Sequence, residues 1–169
     1  MERIQNGVEN MPRLTHFDRE GRARMGTWVY GCDRCQEACP RNQAWTKKEK
    51  PVNQALLERV KHLQLTALLT MDQEHYERRV WPLLYYVRKE DRKIWQRNAA
   101  VALGNQGDTA SIPVLTDALE DGEPLVRTHA AWALGRIGGG KARGALERKR
   151  KTDPEGRVRE EIELSLEGA

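Results

Sequence analysis

Cys32, Cys35 and Cys39 are the only cysteines in 169 residues, and all three fall within eight positions in the stretch GCDRCQEACP. Thiolates are soft ligands, and two of them with two residues between reach one metal centre from a single tight turn. An odd number leaves one sulfur outside any disulfide framework, so a reducing, cytoplasmic setting and metal ligation are expected. Pro40 follows the third cysteine, ends the turn and supplies no N–H donor. A catalytic thiol is disfavoured, because the chain offers no ordered Cys–His–Asn arrangement. No pair of carboxylates makes a convincing acid and base either, so no catalytic residue is assigned.

The spacing Cys-x2-Cys-x3-Cys-Pro matches the last three cysteines and the proline of the bacterial ferredoxin run, in which the cysteine before proline reaches a second cluster. A 4Fe–4S cluster normally takes four thiolates. Three make an incomplete set, so further cysteines are expected from a preceding segment or a partner chain. Zinc is the alternative, held by the three thiolates and His16, the only histidine in the same region. The reverse order, Cys-x3-Cys-x2-Cys, would suggest radical chemistry with S-adenosylmethionine, and the order here argues against it.

Two regions have to position these sulfurs. Residues 1–52 read as a small, loop-rich, partial ferredoxin-like module with little core. Gly7, Pro12, Gly21 and Gly26 break any period, and MGTWVYG (25–31) is a short β-prone run entering the cysteines. Residues 53–169 read as α-helical. Leu56, Leu57, Val60, Leu63, Leu65, Leu68 and Leu69 fall mostly at helical spacing. Asp72 is placed to cap the next helix, and Pro82 to kink or break it.

The clearest organisation lies in residues 95–167. NAAVALGNQGD begins at Asn98 and HAAWALGRIGG at His129, 31 residues on, with a fainter copy in RVREEIELSL (157–166). A period of that size means stacked helical hairpins. The alanines admit close helix approach, Leu103 and Leu134 fill the inner face, and Gly104 and Gly135 are expected to end the first helices. SIPVLTDALED and GKARGALERKRK supply the second helices, with Pro113 in an opening turn and Asp108 as a cap. Asn98 and His129 occupy one repeat position and are expected to make structural hydrogen bonds. Trp132 replaces Val101 and is expected in the core. The fold class is therefore mainly α, a HEAT-like solenoid preceded by the cysteine module.

Composition sets the limits. Hydrophobic residues make up 38% and charged residues 32%, with five tryptophans against one phenylalanine. A net charge of +4 and a pI near 9.1 are modest, although Lys141 to Lys151 is strongly basic. Such a run is by default a solvated helix face. No run of about 18 apolar residues exists, so no membrane span is expected, and the N-terminus lacks a secretory apolar core. Neither a membrane nor DNA is an expected partner.

Taken together, YGCDRCQEACPRN followed by RNAAVALGNQGD and HAAWALGRIGG resembles the C-terminal half of epoxyqueuosine reductase, from about Trp28 to Leu166. The resemblance implies an oxidoreductase that reduces epoxyqueuosine to queuosine in tRNA with 4Fe–4S clusters and cobalamin. It also implies that Cys32, Cys35 and Cys39 are cluster ligands, and that tRNA is a partner. Arg97, Arg127, Arg136, Lys141, Arg143 and Lys149 are then candidates to meet phosphates. The plainer expectation for the arginine after valine is an ion pair with an acidic residue in the same turn. The family's first cluster motif and its cobalamin domain are absent from this chain, and Arg41 stands where many members carry tryptophan. The chain alone is expected to be inactive, as part of a longer or split protein. The competing reading is a HEAT-repeat protein–protein adaptor with a small zinc knuckle.

Overall fold

The computed structural model describes residues 17–31, 33–46, 48, 51–83 and 87–168. In chain order they form α1 (Arg19–Met25), α2 (Arg34–Glu37), α3 (Pro40–Thr46), α4 (Gln54–Val60), a 3-10 turn (Lys61–Leu63) and α5 (Leu65–Thr70). Then come α6 (Gln73–His75), which runs into a π-turn (Tyr76–Val80), α7 (Arg92–Gln106), a second 3-10 turn (Thr109–Ser111) and α8 (Ile112–Ala118). The chain finishes with α9 (Pro124–Ile137), α10 (Gly139–Thr152) and α11 (Gly156–Glu167).

The two Ala-Ala-x-Ala-Leu-Gly blocks become the first helices of stacked hairpins, α7–α8 and α9–α10, and α11 opens a third unit. α7 packs on α9 and α9 on α11, which makes one layer; α8 and α10 form the second, with α5 beside α7 and α8. The small side chains explain the closeness of the first layer. Leu125 through Leu134 are all buried in α9, the middle helix. Trp95, Ala99, Ala100, Val101, Leu115, Leu146 and Ile162 complete the core around it. This is the expected mainly-α, HEAT-like solenoid.

Several details differ from the sequence expectation or sharpen it. Gly104 and Gly135 do not end their helices. α7 runs on to Gly107 (φ 70°), whose N–H donates to the Leu103 carbonyl, and α9 to Gly138 (φ 71°), whose N–H donates to the Leu134 carbonyl. Both later glycines have positive φ, which suits a residue without a Cβ; Gly107 is in the left-handed helical conformation, and Gly138 is extended in ψ (−168°). The leucine run of 54–70 is not one helix, because Gln64 turns extended (ψ 142°) between the 3-10 turn and α5. Leu68 and Leu69 are buried, whereas Leu56, Leu57 and Val60 stay exposed.

Asp72 does cap α6, accepting from the His75 N–H at 2.7 Å, and Asp108 accepts from the Ala110 N–H at 2.9 Å. Ahead of Pro82 the helix widens, the Trp81 N–H donating five residues back to the Tyr76 carbonyl at 2.8 Å. Lastly, MGTWVYG forms no strand. Its carbonyls are met by asparagine side chains of α7 rather than by a neighbouring strand.

Candidate metal centre and nucleic-acid interface

Cys35 lies in α2, a single helical turn. The backbone keeps turning after it, with the Ala38 N–H donating to the Arg34 carbonyl at 3.0 Å and the Cys39 N–H to the Gln36 carbonyl at 3.2 Å. Pro40 then opens α3, where its fixed φ suits a first helical position and its missing N–H is no loss. The Cys39 carbonyl accepts from the Asn42 N–H at 3.0 Å, and the Asn42 amide holds the Gln36 carbonyl at 3.3 Å. Two thiols are thereby set about one helical turn apart, Cys35 exposed and Cys39 partly so, and both are free. Cys32 and His16 lie outside the described residues. The donor chemistry fits a soft metal or an iron–sulfur cluster, since exposed unpaired thiols become thiolate ligands with little rearrangement. Among the described residues no third ligand group converges on them.

A strap, residues 17–31, ties this segment to the solenoid across α7, α9 and α11. The Arg22 guanidinium is buried and pairs with Glu161 at 2.7 Å, and Arg19 pairs with the same carboxylate. Arg22 also lies over the Trp132 ring, 5.9 Å from its centroid. Asn105 donates through Nδ2 to the Arg22 and Gly26 carbonyls at 2.8 and 2.9 Å. Asn98 donates to the Val29 carbonyl at 2.7 Å. The two asparagines are seven residues apart, hence on one face of α7. Tyr30 stacks on Trp95 at 5.3 Å, and Arg97 covers the Phe17 ring at 4.4 Å.

Asn98 thus makes the structural hydrogen bond expected of it. His129, fully buried, places Nδ1 2.8 Å from the Leu125 carbonyl oxygen. Trp132 is in the core as expected. Glu161, Asn105 and Arg22 escaped the sequence reading. The signal lay in polar side chains interrupting the buried faces of α7 and α11.

The six basic candidates for RNA contact divide in two. Arg97, Arg127 and Lys149, expected on an RNA-facing row, are buried in the fold. Arg97 is only 4% exposed, and desolvation pulls its pKa down to about 10. Arg127 makes a two-pronged bond to Asp153 (Nε to Oδ2 2.8 Å, Nη2 to Oδ1 3.1 Å), and its Nη1 donates to the Asp121 carbonyl at 2.9 Å. Lys149 donates to Glu120 at 2.7 Å and lies 3.7 Å from Asp153. Burial alone would raise the Asp153 carboxyl; hydrogen bonds from Arg127 and the Glu155 N–H, with the charges of Arg127 and Lys149, outweigh it and hold the group below its ordinary value. Arg136, Lys141 and Arg143 are exposed. Arg143 faces Glu147 at 3.2 Å in a half-exposed pair, too weakly held to keep it from a phosphate.

A family model described as HEAT repeats matches residues 81–167. The epoxyqueuosine reductase of Bacillus cereus is 34% identical over 149 residues, which is 88% of this chain and 38% of that protein. The Bacillus subtilis enzyme of the same name is 32% identical over the same extents. The crystal structure of an epoxyqueuosine reductase with an epoxyqueuosine-modified tRNA-Tyr stem loop superposes with a TM-score of 0.70 at 28% identity, covering 91% of this chain and 41% of that one. The chain therefore spans about two fifths of the length of these relatives. With its stacked hairpins and this match, the chain belongs to the HEAT-repeat family, and it resembles the epoxyqueuosine reductases along most of its own length.

Proposed function

We propose that the chain is the iron–sulfur and tRNA-contacting portion of an epoxyqueuosine-reductase-like protein, one that reduces epoxyqueuosine to queuosine in tRNA. The observation that carries this reading is the extent of the similarity. A match of 149 residues leaves at most 20 of 169 outside it (169 − 149), so it must take in the cysteine run as well as the repeats. Cys32, Cys35 and Cys39 would hold 4Fe–4S iron, with further thiolates and the cobalamin site supplied by the remainder of the protein. A bound cluster supplies single electrons. This chain's own part is to fix the sulfurs through the strap and to present Arg136, Lys141 and Arg143 to RNA phosphates. Residues 1–52 would act as the partial ferredoxin-like module and 53–169 as its scaffold, in the cytoplasm.

The test is anaerobic reconstitution of the chain with ferrous iron and sulfide, followed by metal analysis and electron paramagnetic resonance of the reduced sample. Retained iron and sulfide, a cluster signal, and loss of both in Cys35→Ser are the expected results. One tightly held zinc per chain with no bound sulfide would overturn the redox reading and leave the adaptor with a zinc knuckle. Electrophoretic shift of a tRNA anticodon stem loop, weakening steeply with salt, tests the RNA contact separately.

A further inference from the structure

Between the strap and α2 lies an open groove of about 570 Å³, lined by Phe17, Arg24, Trp28, Tyr30, Arg34 and Asn98, with Met25, Val29 and two glycines between them. Its volume falls within the range of small-molecule sites. The chemistry of its walls is one-sided. Trp28 and Tyr30 are 39% and 45% exposed, an unusual placement for large rings next to a core that has room for Trp95 and Trp132. Among the described residues no carboxylate lines it, while two arginines do. Arg24 has an exposed partner on its own helix, Glu20, an arrangement that water screens readily. Arg34 has no ion-pair partner among the described residues. The polar atoms of Asn98 are already engaged, Nδ2 by the Val29 carbonyl and Oδ1 by Arg97, so the floor is closed.

A wall of aromatic rings with arginines at its rim suits a ligand that is itself flat and anionic. A nucleotide is both: its base offers a π-face and its phosphate a charge for the guanidinium groups. An apolar peptide would gain nothing from the arginines. We propose that this groove is a subsite for one unstacked nucleotide of a bound RNA, its base laid on Trp28 and its phosphate toward Arg24 and Arg34. The inference rests on the proposed RNA contact and deepens it, because Arg136, Lys141 and Arg143 meet backbone only whereas this groove would hold a base.

The test uses the full chain and a fluorescently labelled tRNA anticodon stem loop. Trp28→Leu keeps apolar bulk but removes the ring, and should weaken binding about tenfold. Trp28→Phe keeps a π-face and should stay within about twofold of wild type. Arg34→Gln should weaken binding and lower the salt slope by about one. Removing single bases from the loop should find one position whose loss weakens wild type but leaves Trp28→Leu unchanged. The proposal is overturned if Trp28→Leu and Arg34→Gln bind like wild type while Lys141→Gln weakens binding; the RNA reading then survives without the groove. A folded wild type that binds no stem loop at low salt overturns both. A glutamate-rich peptide that displaces the stem loop while every single-base removal is silent would assign the groove to acidic protein and overturn the nucleotide. Should Trp28→Leu not fold, the Arg34→Gln slope and the base removals, compared between wild type and Arg34→Gln, decide the matter.

Discussion

At Gly104 and Gly135 a hydrogen atom in place of a side chain sets how closely the first helices lie. A Cβ added at Gly104 would stand 2.8 Å from both Cα and Cβ of Ala133, and one at Gly135 2.5 Å from Cβ of Ser165 and 3.0 Å from its Cα. Those neighbours include backbone, which cannot swing aside. Alanine at either site should therefore destabilise by about 1–3 kcal/mol from overpacking, offset only in part by the better helix propensity of alanine, worth about 1 kcal/mol. Gly140, inside α10 with nothing within 4 Å of an added methyl, is the control, and Gly140→Ala should stabilise by up to about 1 kcal/mol. Urea unfolding should rank Gly140→Ala above wild type, then Gly104→Ala, with Gly135→Ala lowest. The Ala-Leu-Gly repeat was plain in the sequence, but the role of its glycine was not. GNQG and GRIG each hold two glycines three residues apart, and sequence cannot say which ends the helix and which touches its neighbour.

Between elements, the repeat uses one device several times. Gln96 and Arg127 are 31 residues apart, and each reaches an aspartate in the following turn, Gln96 to Asp121 at 3.1 Å and Arg127 to Asp153 at 2.8 Å. Arg127 and Arg159 each also donate to the carbonyl of the aspartate six residues before them, Asp121 and Asp153. The inter-unit turns are thus tied from both sides. Asp153→Ala would leave the buried Arg127 guanidinium unmatched and should cost about 3–5 kcal/mol, measured by urea unfolding at neutral pH.

The same carboxylate predicts a pH dependence. Its folded pKa lies below the ordinary 3.8, so its contribution is complete above that value and is lost as pH falls through the folded one. Wild type should lose its advantage over Asp153→Asn below about pH 4, and the two stability curves should converge there. This arrangement was half legible. A Val-Arg pair at a repeat start signalled an ion pair, but the partner lies 26 residues on in the next unit, a distance that no local spacing rule covers.

Over the whole molecule, the solenoid serves the segment that precedes it. The repeats were legible because alanine, leucine and glycine recur with a period, and packing obeys the period. The strap was not, because it has no period and no hydrophobic stripe; it is held by single contacts, and its hydrogen bonds reach helices 69–146 residues away. Glu161 is the centre of that hold, since it takes both Arg19 and Arg22 and is itself buried. Glu161→Ala leaves the Arg22 guanidinium buried opposite no charge, a loss of about 3–5 kcal/mol that falls on the strap's docking before it reaches the repeats. Hydrogen exchange should then accelerate about a hundredfold or more in Arg19–Met25, while α7 and α9 keep their protection. If the strap positions the thiols, Glu161→Ala should also quicken the loss of reconstituted iron to a chelator, although Glu161 lies more than a hundred residues from any cysteine. Unchanged exchange in α1 would show that the strap holds its place without the buried pair, and the stacking of Tyr30 on Trp95 and the cation–π contact of Arg97 with Phe17 would then be the anchor.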